Sequence, residues 1–433
     1  MRHQLKILHI ATGFRVSYHG GITNYIRTLA KSQMELGHQV HVLARQEPKL
    51  SEPIYGATLH PYVPSAVVSF SLRNFAQDPS ESAITALIEE EQFDIVHFHM
   101  ALDLSLGFLE NFPTLKVPYV ASLHDYFYIC PRITMIDAFS QVCRDVDIMK
   151  CNACIGKLDQ IDLLRRAANK VKVPLPRVHS TAAEERIKSM RNFLSRAHML
   201  LSVSTRTAEI YKAAVPEAQI VVEQIGNDSV YGGSEKTPSN KIRVVALSTL
   251  SRHKGADLLR TFLSRVNRRD MEFHFYGRAV EGYGRKLRRL GLKCHGPYKP
   301  SDIPSIMAAS DIGLVLSIWE DNGPQVAMEF INHKTPVLGT RRGGIPDIVS
   351  PGAGYLFEPD RVEDIEGAIR WLEGITVDEI HRLSASICRL KTPDEHARRI
   401  STLYDDVVNG KRQRLAGPLS RSSETLHLET TDL

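Results

Sequence analysis

The stretch IGLVLSIWEDNGPQVAMEFINHKTPVLGTRRGGIPDIV, residues 312–349, sets a strand, a loop, a helix, a second strand and a glycine loop in quick succession. Its opening apolar run does not alternate with polar residues, which is how a parallel strand covered on both faces reads. Pro324 suits the first turn of a helix, where its missing N–H would be unpaired anyway, with Asn322 or Gly323 as the cap. Lys334 is expected in the last turn and Pro336 to stop the helix. Asp321 and Glu329 bracket the helix start, one at the loop lip and the other roughly 8 Å along the axis at about 1.5 Å per residue. A positive helix end flanked by two accepting carboxylates suits a ligand that carries both phosphate and several hydroxyls. A nucleotide-activated sugar is such a ligand.

Outward from this stretch the same rhythm recurs. Upstream come IRVVALS from Ile242, MEFHFYG from Met271 and LKCHGP from Leu292, and then the run PVLGT from Pro336 follows inside the stretch itself. Before them lies DSVYGGSEKTPSNK, residues 228–241, rich in Gly, Ser, Pro and charge, which reads as a linker. The first half shows apolar runs starting at Leu5, His38, Phe93, Pro118 and His198. Between the first two, ITNYIRTLAKSQMELG carries Ile22, Tyr25, Ile26, Leu29 and Met34 close to helical spacing, closed by Gly37. Strands alternating with helices predict two doubly wound α/β domains, residues 1–235 and 236–408. Residues 126–190 interrupt the first as a cysteine-bearing, helical excursion. Residues 409–433 are polar and aperiodic and read as a disordered tail.

A chain of 433 residues exceeds one ordinary core, and 43% hydrophobic with 24% charged residues is a globular composition. A net charge of +5 allows an anionic substrate or membrane surface but does not argue for nucleic acid. No apolar run approaches the roughly 18 residues of a membrane span, and LKILHIAT reads as a first strand rather than a leader. A cytoplasmic protein is expected. The basic stretch IDLLRRAANKVKVPLPRVHS, with Arg165, Arg166, Lys170, Lys172 and Arg177, reads either as a solvated helix face or as a contact with an anionic membrane. Cys130, Cys143, Cys151 and Cys154 crowd together and end in C-x-x-C, so they are candidates for a structural zinc; simple buried or surface thiols are the other reading.

Four sites bear on chemistry. Gly20 and Gly21 follow the first strand and open a helix, where glycine lets the backbone approach a ligand. They do not form G-x-G-x-x-G, which disfavours a nicotinamide dinucleotide. His124 and Asp125 end a predicted parallel strand, as His97 and His99 end its neighbour; such histidines either meet a ligand or simply pack. Lys254 and Gly255 precede a helix in the second half, a natural diphosphate position that Arg252 is placed to assist, or else an exposed basic turn. Gly343 and Gly344 form a second glycine pair. The D-x-D formed by Asp145 and Asp147 lacks a strand-end context and is set aside.

Together these residues resemble the family-4 retaining glycosyltransferases, over nearly the whole chain. The resemblance implies the GT-B fold, two Rossmann-like domains facing a cleft. It matches the first glycine pair to Gly20 and Gly21, a cleft histidine to His124, the diphosphate-gripping pair to Lys254 and Gly255, the E-x7-E motif to Asp321 and Glu329, and the later glycines to Gly343 and Gly344. The run HDYFYICPR with its trailing cysteines looks like a subgroup used in bacterial surface polysaccharide assembly. The resemblance further implies a UDP- or GDP-sugar donor, a saccharide or lipid-linked acceptor, peripheral contact with a membrane, and no metal required for catalysis. Glu329 would hold the ribose, Asn322, Gly323 and neighbouring amides the donor, and Asp321 the transferred sugar. Two departures stand out. Asp321 occupies a position where the family usually has glutamate, so the sugar sits closer or a water bridges. Thr249 stands where an arginine is usual.

Overall fold

A computed structural model describes residues 4–15, 20–46, 56–64, 78–159, 182–232, 235–280 and 282–410. Two parallel sheets form the frame. The first has strands β1 (Lys6–Arg15), β2 (Gln39–Arg45), β3 (Thr58–Tyr62), β4 (Ile95–Ala101), β5 (Tyr119–Leu123), β6 (Met199–Ser202) and β7 (Ile220–Val222), in the order β3-β2-β1-β4-β5-β6-β7. The second has β8 (Ile242–Leu250), β9 (Met271–Ala279), β10 (Lys293–Gly296), β11 (Ile312–Val315), β12 (Val337–Thr340) and β13 (Gly354–Phe357), in the order β10-β9-β8-β11-β12-β13. Every strand read from an apolar run is present. The edge strands β3, β7 and β13 had no such run to announce them. The basic stretch around 161–180 and the tail beyond 410 lie outside the described residues.

Both sheets reverse strand order between their first and fourth strands, β1/β4 and β8/β11. At such a switch point the helices leave in opposite directions and a crevice opens at the carboxyl ends of the strands. The helix α1 (Gly21–Glu35) follows β1 and buries Tyr25, Ile26, Leu29 and Ala30. Gly37 at φ +93° closes it: its N–H bonds Met34 O at 2.9 Å and the His38 N–H bonds Gln33 O at 3.1 Å. This is the left-handed closure expected of glycine at that position. The helix α2 (Ala256–Arg265) follows β8, and α3 (Gln325–Asn332) follows β11.

The start and end of α3 differ from expectation by about one residue. Pro324 is the cap, with extended ψ of 110°, and its carbonyl accepts the Ala327 N–H at 3.0 Å. Lys334 lies past the helix at φ +53°, where Thr335 N–H bonds Phe330 O at 2.8 Å. A lysine therefore occupies the left-handed position that glycine filled after α1, at a cost on the order of 1 kcal/mol.

The last described helix, α4 (Pro393–Val408), returns to the first half and packs along α1. Thr392 and Glu395 form a capping box at its start. Tyr404, fully buried, hydrogen-bonds His97 of β4, while Ser32 Oγ donates to Asp394 at 2.7 Å. The chain thus crosses between halves twice, and the crossings touch. Asn227 N–H donates to Lys391 O at 3.0 Å, and a Cβ on Gly226 would fall 2.5 Å from Thr392 O. One apolar cluster runs from Leu5, Ile7 and Ile26 through Leu403 of α4 to Val315, Phe330 and Val337 of the second sheet.

Candidate functional site

A cleft of about 390 Å³ opens at the carboxyl ends of β8 and β11, lined by Gly21 from the first half and by Thr249, Lys254, Gly255, Ser317, Asp321 and Gly323 from the second. Its floor is strained. Ser248 sits at φ +79°, and the adjoining Gly277 comes so close that an added Cβ would lie 1.7 Å from Ser248 O. A non-glycine residue held there costs on the order of 1–3 kcal/mol, and such strain gathers at functional sites. Nothing in the residue order announces it.

The loop from β8 into α2 brings Lys254 to the cleft. It turns on Gly255 at φ +84°, where a Cβ would fall 2.0 Å from Leu316 O. Lys254 Nζ donates to Asp321 Oδ2 at 2.5 Å and lies 5.2 Å from the centre of the Trp319 ring. Ser317 Oγ donates to the same oxygen at 2.9 Å. Asp321 is buried, so this ion pair is shielded from the screening that weakens surface pairs.

Neighbouring Glu320 faces another way. Its carboxylate accepts from Gly343 N–H at 2.8 Å and from Arg206 Nε at 3.3 Å. The two adjacent acids are sorted by the second glycine loop, because the Asp321 backbone packs directly onto it. Gly344 N–H donates to Asp321 O at 2.8 Å, and a Cβ on Gly343 would lie 2.0 Å from that oxygen. On Gly344 a Cβ would meet Asn322 O at 2.2 Å and Ser204 Cβ at 2.9 Å, across the two halves. Arg206 and Ser317 are site-building residues that sequence reasoning passed over, and Glu320 is one it set aside as a residue out of register with the motif.

Several polar groups here lack partners. Asn322 is buried with neither amide atom hydrogen-bonded, and Glu329 Oε2 is likewise buried and unpartnered. Burial, reinforced by nearby Asp228, pushes the Glu329 carboxyl up to about 7. Buried groups left unpaired in this way are costly unless something binds them. Glu329 is not among the residues lining the 390 Å³ cleft, and Arg252 lies exposed outside it.

On the opposite side, Gly20 caps α1 and its carbonyl accepts Asn24 N–H at 2.9 Å. A Cβ on Gly21 would meet nothing within 4 Å, so the space beside it is open. His124 follows β5 half-buried, with Nε2 3.2 Å from His99 Nδ1 and the Tyr25 ring edge-on at 4.6 Å. Burial and the nearby His396 lower its pKa to about 3, so the ring is neutral. It does not line the cleft beside Lys254.

The excursion after β5 is irregular until the helix Ile148–Asp159. Asp147 Oδ1 accepts Lys150 N–H at 3.0 Å at the start of that helix, and Asp145 is exposed, so the D-x-D lies away from the cleft. Cys130, Cys143, Cys151 and Cys154 are free thiols, three of them perturbed. Burial raises the Cys130 thiol pKa, partly offset by the backbone N–H groups of Arg132 and Met135. Burial and the neighbouring thiols of Cys130, Cys143 and Cys154 push Cys151 up to about 12. Among the described residues, the metal-capable group with ligand atoms within 4.8 Å of one another is His9, His97 and His99; the four thiols form no such group. No helix among the described residues is long and apolar enough to cross a membrane.

Residues 19–226 match the family described as Glycosyltransferase Family 4, and residues 241–373 match Glycosyl transferases group 1. The sulfoquinovosyl transferase SQD2 of Arabidopsis thaliana is 24% identical over 376 residues, 82% of this chain. The chain spans 64% of that relative's length. Among solved structures, HepE of Anabaena in complex with UDP superposes with a TM-score of 0.57 at 17% identity, covering 94% of this chain and 98% of that one. Sucrose-phosphate synthase of Thermosynechococcus elongatus gives 0.62 at 14% identity, over 94% and 100% of the respective chains. These likenesses establish the shared two-domain fold.

Proposed function

The chain belongs to the family-4 glycosyltransferases, and from that premise we propose that it moves a sugar from a nucleotide-sugar donor to an acceptor hydroxyl with retention of anomeric configuration. The observation that carries this reading is the set of unsatisfied groups at the start of α3. Among the described residues Asn322 and Glu329 Oε2 have no partners, beside a lysine that pairs with the Asp321 carboxylate. A ligand with ribose hydroxyls, a diphosphate and a sugar supplies a counterpart for each. UDP is the nucleotide in the Anabaena HepE structure, so a UDP-sugar is the first donor to test, with a GDP-sugar next.

In this reading the diphosphate takes Lys254 away from Asp321. The exchange frees Asp321 Oδ2 to accept from a sugar hydroxyl while Ser317 keeps the carboxylate oriented. Gly255, Gly20 and Gly21 let backbone amides approach the phosphates, and Glu329 accepts from the ribose. The leaving group is already a stabilised diphosphate, so positioning and charge stabilisation carry the step more than a strong acid. The C1–O bond to the diphosphate breaks on the face where the acceptor oxygen arrives, and the acceptor proton passes to the departing phosphate oxygen. His124 contacts the sugar from the other half as a neutral imidazole. The acceptor is a saccharide or lipid-linked sugar in polysaccharide or glycolipid assembly, reached from a membrane surface. No structural zinc is assigned to the four cysteines, whose thiols form no group with ligand atoms within 4.8 Å of one another.

The test is nucleoside diphosphate release from UDP- and GDP-sugars, with and without a lipid-linked saccharide acceptor. Release that depends on acceptor and is lost in Lys254→Ala is expected. Turnover that persists undiminished in Lys254→Ala, or isomerised donor with no acceptor required, overturns the proposal.

A further inference from the structure

Behind His124 lies a buried chain of side chains that the reaction above does not use. His124 Nε2 is 3.2 Å from His99 Nδ1, His99 Nε2 is 2.8 Å from His9 Nδ1, and His9 Nε2 is 2.8 Å from Gln33 Oε1. The chain runs from the end of β5 through β4 and β1 to the inner face of α1. Gln33 and His9 are fully buried and His99 nearly so. Burial lowers His9 to about 4 and holds His99 well below the ordinary histidine value. Each ring is therefore neutral and carries one N–H.

That constraint couples the rings. A hydrogen bond needs one donor and one acceptor, and a neutral imidazole has one of each. If the Gln33 amide donates to His9 Nε2, then His9 donates from Nδ1, His99 accepts at Nε2 and donates from Nδ1, and His124 accepts at Nε2. His124 must then carry its proton on Nδ1. If the Gln33 carbonyl accepts instead, every link reverses and His124 carries its proton on Nε2. The amide nitrogen of Gln33, when the carbonyl faces His9, is buried without a partner. Exchanging the amide oxygen and nitrogen would only leave the oxygen in that unpartnered place, so the accepting orientation stands, with Gln33 Oε1 facing His9.

The same region offers His9, His97 and His99 as a compact trio, but all six of their ring nitrogens are engaged. His97 pairs with Tyr404 and, at 2.8 Å, with Ser122, and the other four lie in the chain just traced. A metal ion would have to break those bonds.

We infer that Gln33 is a positioning residue which, through His9 and His99, fixes His124 as the tautomer protonated at Nε2. The sugar-contacting role of His124 rests on the function proposed above; the tautomer does not. The experiment is nitrogen-15 NMR of the full chain labelled at histidine. His124 is assigned by comparison with His124→Phe, and its two ring nitrogens report directly which one is protonated. In the unaltered protein a single Nε2-protonated form is expected. Gln33→Met, of similar volume, should turn it into a mixture, and His9→Phe, cutting the next link, should do the same. Ser122→Ala removes a buried hydrogen bond to His97 off the chain and should leave the His124 signals in place. A mixed or Nδ1-protonated His124 in the unaltered protein, or one unmoved by both Gln33→Met and His9→Phe, overturns the inference. In turnover assays Gln33→Met should lower kcat about ten-fold, the scale of one hydrogen bond, with nucleotide affinity unchanged. If His124→Phe leaves turnover intact while the NMR outcome holds, the role of His124 fails and the relay stands.

Discussion

Nucleotide affinity should rise with pH through the ionisation of Glu329. Its carboxyl titrates at about 7, held there by burial and by Asp228, and one oxygen has no hydrogen-bond partner. Ribose hydroxyls bond strongly to this group only when it is ionised, because both oxygens then accept and the bonds are charge-assisted. The ionised fraction is about 0.1 at pH 6 and about 0.9 at pH 8. Apparent Kd scales inversely with that fraction, so it should fall about ten-fold across the interval, about 1.4 kcal/mol. The diphosphate also gains charge over this range, so the slope must be compared between proteins. Calorimetric titration of UDP, or of GDP if that is the better ligand, at pH 6, 7 and 8 in wild type and Glu329→Gln separates the two. Titration of the phosphate is common to both proteins and cancels in the ratio. That ratio should shift about ten-fold, since glutamine has no ionisation to lose. In the ligand-free protein the sign is opposite. The folded pKa lies above the unfolded value, so between them the unfolded chain releases the proton first, and this group's contribution to stability falls as pH rises towards 7. Glu329→Gln should therefore melt higher than wild type at pH 8 without ligand. Equal pH slopes in both proteins would refute the argument.

Two adjacent acids allow a sharper contrast. Asp321→Asn should lower turnover by about 10²-fold, the scale of removing one group that stabilises charge at a reacting centre. Glu320→Gln, which weakens the links to Gly343 and Arg206, should lower the melting temperature more than kcat. Gly343→Ala should lose at least about 1–2 kcal/mol from the left-handed backbone alone, with more from the contact at Asp321 O, read as a lower Tm. Metal analysis after chelator-free purification should find substoichiometric zinc, because the four thiols do not gather within ligand reach of one another; about one zinc per chain, lost in Cys151→Ser, would refute that.

Much of this was legible in the residue order, for a physical reason. Central parallel strands are covered on both faces, so runs such as VVAL in β8 and IVHF in β4 declare themselves. Edge strands are not so covered: β3 contains Pro61 and is partly exposed, β7 has three residues, and β13 opens with Gly354. The glycine pairs stood out because glycine permits approaches that other residues forbid, and Gly255 and Gly343 make such approaches. Side-chain orientation was not legible. Asp321 and Glu320 are neighbours in sequence, and only the packing of the second glycine loop decides which one meets Lys254. Gln33 looked like any polar residue on an amphipathic helix, and its distance of 24 positions from His9 hides the bond between them.

The touching of the two chain crossings has a mechanical corollary. Joined at separate points, two polypeptide spans would permit the halves only a rotation about the line between them. Clasped at one spot by the Asn227–Lys391 bond, with Gly226 pressed on Thr392, they act as a single two-ply joint. Any opening or closing of the cleft would turn on that joint, and would have to break the Arg206–Glu320 and Thr205–Asp347 links between the halves. A methyl group added at residue 226 would wedge the plies apart, and it should alter how often the cleft shuts from a position that is not among the residues lining it.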